Sequence, residues 1–289
     1  MKILVLCSGG DAPGMNRFLY TLSKKFAGEI YYAKAGFKGL VNGDIFAVDM
    51  EKLEKAKDEA GTIILSSRYP EFKEEKFFKK GVKNAKKFDF VVILGGNGSQ
   101  NGARELFESG VKTIFVPATI DNDVEDSFYS IGFDTAVSQC VYVVENTMPS
   151  INSFLQTCLF EIMGNKSDMI TKAVANIVHP DYCILNEKDL DYLKIGKCIK
   201  KNLKEDKGTM ILVKEKIKNI FEIKKALAEK GFAVKSQIVG RLQRGGKPTK
   251  KELQMADKFA TMASKLVKSN CGGKKVLVDI NQNVFVTDF

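Results

Sequence analysis

Short, continuously apolar runs recur along this chain, and longer amphipathic stretches separate them. The runs are rich in β-branched side chains and lack the apolar–polar alternation of a half-exposed strand, so they predict strands buried on both faces. The predicted strands span 3–7, 90–94, 113–116, 158–162, 182–185, 210–213, 233–239 and 275–279. The predicted helices between them include 16–26, 100–108, 134–147, 219–230 and 250–268. This alternation of strands and helices predicts an α/β protein with parallel sheets.

Length and composition limit the class of protein. The 289 residues suit one large domain or two smaller ones, and 44% hydrophobic with 28% charged residues is ordinary for a soluble globular protein. No apolar run approaches the roughly 20 residues that span a bilayer, so no membrane partner is expected. The six cysteines are scattered without a C-x-x-C pair, which predicts free thiols and a cytoplasmic protein. The single histidine, His179, excludes histidine-based metal clusters.

The net charge of +10 raises the question of a nucleic-acid partner. The lysines are spread along helical stretches such as 194–207 and 214–225, with no basic block and no interleaved aromatic residues. A solvated helix surface explains this spread better than a binding site does. We therefore expect no nucleic-acid partner.

Two glycine-rich turns follow predicted strands, at the strand ends where open α/β sheets bind ligands. Residues 8–16 read SGGDAPGMN, and residues 95–99 read GGNGS. Glycine lets backbone amides approach phosphate oxygens, and the helix after each turn offers its positive end. One such turn is often only a tight connection, whereas two at equivalent positions predict phosphate binding.

A third turn, residues 117–123, reads PATIDND after the predicted strand at 113–116. Its two carboxylates, Asp121 and Asp123, can divide the labour of phosphoryl transfer. One can take a proton from an attacking hydroxyl while the other serves the metal side of the reaction. For an isolated segment, an Asp-rich turn with a helix cap is the simpler interpretation. Beside two phosphate turns, the catalytic interpretation is the stronger one.

These three turns resemble the motifs GGDAPGMN, GGDGS and PGTIDND of bacterial-type, ATP-dependent 6-phosphofructokinases, and the chain is similar to a divergent member of that family. Further matching segments follow in family order at 67–72, 131–136, 161–164 and 240–246. The resemblance implies two Rossmann-like α/β domains with parallel sheets and an active site in the cleft between them. It implies a larger nucleotide-binding domain, 1–131 plus 243–289, and a smaller sugar-phosphate-binding domain, 132–242. It also implies a homo-oligomer, either a tetramer or a dimer.

The activity implied by the resemblance is glycolytic transfer of the γ-phosphoryl group from MgATP to the 1-hydroxyl of fructose 6-phosphate. The resemblance implies that Asp121 is the general base, with Thr119 and Asp123 beside it. It also implies that Arg68 stabilises the charge on the moving phosphoryl group. The nucleotide-binding positions are Gly10, Arg68, Gly96, Asn97, Gly98 and Ser99. The substrate-binding positions are Thr119, Asp121, Asp123, Met163, Gly164, Glu215, Lys235, Arg241 and Arg244. The magnesium positions are Asp123 and, in a weakened form, Asn97.

Two small residues favour ATP over pyrophosphate as the donor. Pyrophosphate-using relatives typically carry Asp at the position of Gly98 and Lys at the position of Ala118. A side chain at position 98 would intrude where the nucleotide must pass.

The chain departs from the family pattern on both sides of the reaction. Asn97 replaces the aspartate of GGDGS, which removes a carboxylate from the magnesium site. On the sugar side, Gln156 and Asn165 replace arginines, Lys235 replaces an arginine and Arg241 replaces a histidine. Lysine keeps the charge but loses the bidentate fork that grips phosphate.

Two hypotheses therefore stay open at the level of sequence. The first is an ATP-dependent 6-phosphofructokinase, either weak in activity or retuned to another phosphosugar. The second is a catalytically impaired relative that binds nucleotide or sugar phosphate as a sensor or assembly subunit.

Overall fold

The computed structural model describes residues 1–47 and 49–289, and its helices and strands alternate along the chain. The strands are β1 (Lys2–Ser8), β2 (Glu29–Ala33), β3 (Ile45–Ala47), β4 (Ser66–Ser67), β5 (Phe90–Gly95), β6 (Thr113–Pro117), β7 (Thr157–Ile162), β8 (Tyr182–Ile184), β9 (Thr209–Lys214), β10 (Val234–Ile238), β11 (Lys274–Val278) and β12 (Val284–Asp288). The α-helices are α1 (Met15–Lys25), α2 (Phe37–Asn42), α3 (Met50–Ala56), α4 (Glu75–Ala85), α5 (Asn97–Glu108), α6 (Phe133–Ser153), α7 (Met169–Val178), α8 (Tyr192–Lys204), α9 (Ile220–Ala228) and α10 (Lys250–Lys268). Short 3₁₀ helices span Pro70–Lys73, Glu187–Asp189 and Gly240–Arg244.

Contacts divide the chain into two compact units. Unit 1 comprises Met1–Thr135 and Arg244–Phe289, and unit 2 comprises Ala136–Gln243. The limits expected from the resemblance were 131/132 and 242/243. The ligand that each unit binds stays a prediction.

Unit 1 is built on an eight-stranded sheet in the order β12-β11-β6-β5-β1-β2-β3, with β4 also paired to β1. The central strands β1, β5 and β6 run parallel and are buried along almost their whole length, which is why their sequences are continuously apolar. The outer strands β3 and β12 run antiparallel to their neighbours. One core of the unit packs Phe37, Phe72 and Phe115 among aliphatic side chains.

Unit 2 carries a four-stranded sheet in the order β10-β7-β9-β8, with all three pairings parallel. Its core joins β7 and β9 to helices α8 and α9 through Leu159, Ile211, Ile199 and Ile223. The predicted α/β class with parallel sheets is confirmed. Within the described residues, no helix has the length and apolar character needed to cross a bilayer.

Candidate active site

The first glycine turn links β1 to α1. Gly14, which immediately precedes α1, has φ +96°, and a Cβ there would lie 2.9 Å from Ile131 Cγ2, so both conformation and space require glycine. The Gly9 N–H donates to the Ser67 carbonyl at 3.0 Å, and the Ser66 hydroxyl donates to the Gly9 carbonyl at 3.0 Å. These bonds hold the end of β4, and the exposed Arg68 after it, beside the first turn.

Arg244 lies against this same turn. Its Nη1 donates to the Asp11 carbonyl at 2.8 Å, and a Cβ on Gly10 would lie 2.5 Å from that nitrogen. The guanidinium therefore occupies space that only glycine at position 10 leaves open. The sequence predicted a sugar-phosphate role for Arg244, and in unit 1 its contacts are with the first glycine turn.

The second glycine turn links β5 to α5 and contacts both other turns. The Ser99 hydroxyl donates to the Ser8 carbonyl at 3.2 Å, which ties it to the first turn. The Asn97 side-chain amide donates to the Asp123 carbonyl at 2.9 Å, which ties it to the aspartate turn. A Cβ on Gly96 would lie 3.6 Å from Thr119 Cβ, whereas a Cβ on Gly98 would have no atom within 4 Å. Gly98 thus borders open space.

The aspartate turn after β6 is fixed from within. The Asp121 N–H donates to Thr119 Oγ1 at 3.3 Å. Asn122 is buried in the left-handed region, φ 47°, and its amide donates to the Phe128 carbonyl at 3.2 Å. The Ser130 hydroxyl lies 2.6 Å from the Thr119 carbonyl and 3.1 Å from Asn122 Oδ1. The backbone on both sides of Asp121 is therefore anchored.

The two carboxylates of this turn have different surroundings. Asp121 is partly buried, and Asp123 is exposed. Desolvation by neighbouring protein atoms raises the pKa of Asp123, and a hydrogen bond from its own backbone opposes that rise. Because the residue is solvent-exposed, we expect Asp123 to be ionised at neutral pH.

The predicted magnesium positions, Asn97 and Asp123, offer few oxygen ligands. Asn97 commits its amide nitrogen to the Asp123 carbonyl, which leaves the amide oxygen and the Asp123 carboxylate as candidate ligands. Among the described residues, no group of three or more His, Cys, Asp or Glu side chains is placed to hold a metal. One carboxylate and one amide oxygen fit a magnesium ion that also binds substrate phosphates.

Three of the predicted substrate positions in unit 2, Met163, Gly164 and Glu215, lie where β7 and β9 end. Glu215 follows β9, and its Oε1 accepts from the Gly164 N–H at 3.0 Å and the Asn165 N–H at 2.6 Å. The Met163 N–H donates to Gln243 Oε1 at 2.7 Å. Glu215 therefore holds the backbone of the turn that contains Gly164.

Two further predicted substrate positions, Arg241 and Lys235, have exposed side chains. Arg241 lies in the 3₁₀ helix that follows β10. Lys235 lies near the start of β10, where it pairs with Cys158, whereas Met163 directly follows the last residue of β7, Ile162. At about 3.3 Å per residue, Cys158 and Ile162 are about 13 Å apart along the strand. Unit 2 thus brings Glu215 to the Met163–Gly164 turn and leaves Lys235 toward the other end of the sheet.

Comparison with known protein families shows the family to which the chain belongs. The family model described as Phosphofructokinase matches residues 2–267, which is most of the chain. The chain belongs to the phosphofructokinase family.

Curated relatives agree with the family assignment, and solved structures share the fold. The ATP-dependent 6-phosphofructokinase of Lactiplantibacillus plantarum is 34% identical over 290 residues, covering 98% of this chain and 91% of the relative. That of Enterococcus faecalis is 34% identical over 281 residues, covering 94% and 87%. The phosphofructokinase of Saccharomyces cerevisiae, 22% identical, shares the fold with a TM-score of 0.87 over 99% of this chain and 44% of the yeast chain. A pyrophosphate-dependent phosphofructokinase from Marinobacter aquaeolei, 15% identical, has a TM-score of 0.84 over 99% and 82%.

The sequence did not reveal three residues whose side chains hydrogen-bond the backbone in and beside the phosphofructokinase motifs. Neither the motifs nor the predicted helices singled out Asn122, Ser130 or Glu252 as site residues. Glu252 is completely buried and accepts hydrogen bonds from the backbone at Gly132 and Thr135. The available signal was the T-x-x-E spacing of Thr249 and Glu252, which marks the start of a helix but does not reveal burial.

Proposed function

We propose that this chain is an ATP-dependent 6-phosphofructokinase, which transfers the γ-phosphoryl group of MgATP to the 1-hydroxyl of fructose 6-phosphate. The observation that supports it best is the meeting of three strand-end turns. Ser99 bonds to the first turn, and Asn97 bonds to the aspartate turn. Turns of this kind present backbone amides and helix N-termini to phosphates. The curated relatives, ATP-dependent 6-phosphofructokinases by name, agree with this chemistry.

In this proposal Asp121 is the general base. Its carboxylate takes the proton of the sugar 1-hydroxyl as that oxygen forms a bond to the γ-phosphorus, and the bond from the γ-phosphorus to the bridging oxygen of ADP breaks. Proton transfer to a positioned carboxylate typically contributes about 10²–10⁴-fold to a rate. Thr119 Oγ1, which accepts the Asp121 N–H, fixes the turn in this position.

Arg68 has the role of stabilising charge on the transferring phosphoryl group. It is exposed beside the first glycine turn, and no ion pair involving it occurs in the described part of the chain. An arginine that needs no internal partner keeps its donors for a phosphate. Asp123 and the Asn97 amide oxygen would hold the magnesium ion that accompanies ATP, and that ion would neutralise phosphate charge.

We assign nucleotide binding to unit 1 and sugar-phosphate binding chiefly to unit 2. The nucleotide residues are Gly10, Arg68, Gly96, Asn97, Gly98 and Ser99. The sugar-phosphate residues are Met163, Gly164, Glu215, Lys235, Arg241 and Arg244, together with the aspartate turn. We also propose a cytoplasmic homo-oligomer, a dimer or a tetramer. Six free cysteines suit a reducing compartment, and exposed apolar side chains such as Tyr142, Phe154 and Phe221 suit contacts between copies.

The test is ADP production from MgATP with fructose 6-phosphate, comparing the native protein with Asp121→Asn. We expect turnover in the native protein and a loss of about 100-fold or more in the variant, because the amide cannot accept the proton. Equal ATP binding in both proteins would show that the variant is folded. Tight ligand binding without turnover on a panel of phosphosugars would contradict the proposal and favour a binding subunit.

A further inference from the structure

A buried carboxylate is connected through Gly132 to two of the motifs that the proposed function uses, the first glycine turn and the aspartate turn. Glu252, in the first turn of α10, is fully buried. Its Oε1 accepts from the Gly132 N–H at 2.8 Å, and its Oε2 accepts from the Thr135 N–H and hydroxyl, both at 3.2 Å. Burying a carboxylate is unfavourable unless donors satisfy it, and here the donors come from the first turn of α6 and the residue before it. Glu252 therefore joins the start of α6 to α10.

The contacts of Gly132 extend this connection to the motifs themselves. Gly132 has φ +107°, and a Cβ there would lie 2.6 Å from Ala12 Cβ and 3.2 Å from Ile120 Cγ2. Ala12 belongs to the first glycine turn, and Ile120 directly precedes Asp121. A Cβ on Gly14 would lie 3.1 Å from Glu252 Cγ. The Gly132 backbone is thus packed against both turns, and its N–H is bonded to the Glu252 carboxylate.

The residues just before Gly132 reach the backbone around Asp121. Ile131 pairs with Ala118 in a parallel bridge, and its N–H donates to the Pro117 carbonyl at 3.0 Å. Ser130 contacts the Thr119 carbonyl and Asn122 Oδ1. A displacement of Gly132 would therefore be transmitted to the residues on both sides of Asp121.

We propose that Glu252 is a positioning residue for the aspartate turn, acting through Gly132 and Ser130 to hold Asp121 in place. This inference rests on the proposed role of Asp121. The simpler alternative is that Glu252 only stabilises a helix. Thr249 already caps α10, since its hydroxyl accepts the Glu252 N–H at 3.1 Å, so the Glu252 carboxylate is not needed for that purpose.

The experiment compares Glu252→Gln with Ile223→Val, a core change in α9 of unit 2 that serves as the control for lost stability. Glutamine keeps the size of the side chain but replaces one acceptor by an NH₂ group that faces a backbone donor. A misplacement of about 1 Å can cost about 100-fold in rate. We expect kcat to fall roughly 10- to 100-fold in Glu252→Gln, with KM for both substrates changed less than about threefold.

Amide hydrogen exchange provides a second readout that does not depend on turnover. Exchange in residues 117–135 should rise in Glu252→Gln and stay unchanged in Ile223→Val, both measured well below the melting temperatures. Unchanged exchange in that segment, or a kcat loss no larger than in Ile223→Val, would overturn the positioning role. If the native protein shows no turnover at all, the proposed function fails, and hydrogen exchange alone decides whether Glu252 holds the turn.

Discussion

At the scale of single residues, Asn97 differs from the aspartate of the family motif GGDGS in both its charge and its hydrogen bonding. Its amide nitrogen donates to the Asp123 carbonyl, a bond that an ionised aspartate at position 97 could not make. Such a hydrogen bond contributes about 0.5–1.5 kcal/mol net. Asn97 thus removes a carboxylate from the predicted metal position and gains a link between the second glycine turn and the aspartate turn.

Gly98 offers a test of the predicted nucleotide site. An added Cβ would meet no protein atom within 4 Å, so Gly98→Asp should fold normally. If the open space holds the nucleotide, a carboxylate there should both block and repel the phosphates. We expect kcat/KM for ATP to fall by about 100-fold or more, which corresponds to about 2.7 kcal/mol.

Gly98→Ala is the matched control for this variant, because it adds bulk without charge. It should lose less activity than Gly98→Asp, and circular dichroism should show both variants folded. An unchanged kcat/KM for ATP in Gly98→Asp would exclude Gly98 from the nucleotide site.

Single residues also show the limit of sequence reasoning about the site. The family motifs identified Thr119, Asp121 and Asp123 because their chemistry is apparent from residue type and spacing. The supports Asn122, Ser130 and Glu252 have side chains that are just as common on surfaces. Their function depends on burial and on partners distant in sequence, such as Gly132 for Glu252, and no local pattern encodes those.

At the scale of elements, the strands that are buried along almost their whole length were all predicted. Strand β10 was predicted as well, although most of its residues are exposed or half-buried. The continuous apolar runs of β1, β5 and β6 leave no polar face, so their sequences predict central strands. The strands β2 and β12, which were not predicted, are only partly buried. Helix α6 extends beyond the predicted end at residue 147 to Ser153, although Pro149 lies within it.

The contact between α1 and α10 supplies a prediction about stability. Arg17 donates to both oxygens of Asp257, from Nε and Nη2 at 2.8 Å each, and Thr21 also bonds to Asp257. Because hydrogen bonds to charged groups contribute about 1.5–3 kcal/mol and this pair is partly exposed, Asp257→Asn should lower the free energy of unfolding by about 1 kcal/mol. Urea unfolding measures the change.

Asp58→Asn is the control for the same guanidinium. Asp58 accepts from Arg17 Nη1 at 3.2 Å and is more exposed than Asp257, so its loss should cost less than about 0.5 kcal/mol. Equal effects of the two variants would show that the two-point geometry of Asp257 adds nothing to stability.

At the scale of the whole molecule, buried ionisable groups influence how folding depends on pH. Burial raises the pKa of the Cys7 and Cys158 thiols to about 12, so neither titrates in the neutral range. Burial also raises the pKa of Glu252 to about 7, and the nearby Asp134 adds to the rise. Hydrogen bonds from Gly132 and Thr135 oppose it without cancelling it.

The consequence for stability follows from proton binding to Glu252. Between its ordinary pKa of 4.5 and its raised pKa of about 7, the folded protein retains a proton that the unfolded chain has released. The free energy of unfolding therefore falls as pH rises through this window, by about 3 kcal/mol, and this contribution is constant above it. Glutamine at position 252 does not titrate, so Glu252→Gln should gain stability relative to the native protein as pH rises from about 4.5 to 7.5.

Urea unfolding of both proteins at a series of pH values measures this gain, because the titration of other groups cancels in the difference. The charged and titratable neighbours that bear on Glu252 are few. Asp134 and Tyr129 lie close enough to affect its pKa, and Lys251 forms a salt bridge to Asp134 at 3.3 Å and lies over the Tyr129 ring. Because Lys251 compensates Asp134, Lys251→Met should raise the pKa of Glu252 and move the window to higher pH. A stability difference that is constant from pH 4.5 to 7.5 would mean that Glu252 is ionised throughout, held by its three donors despite its burial.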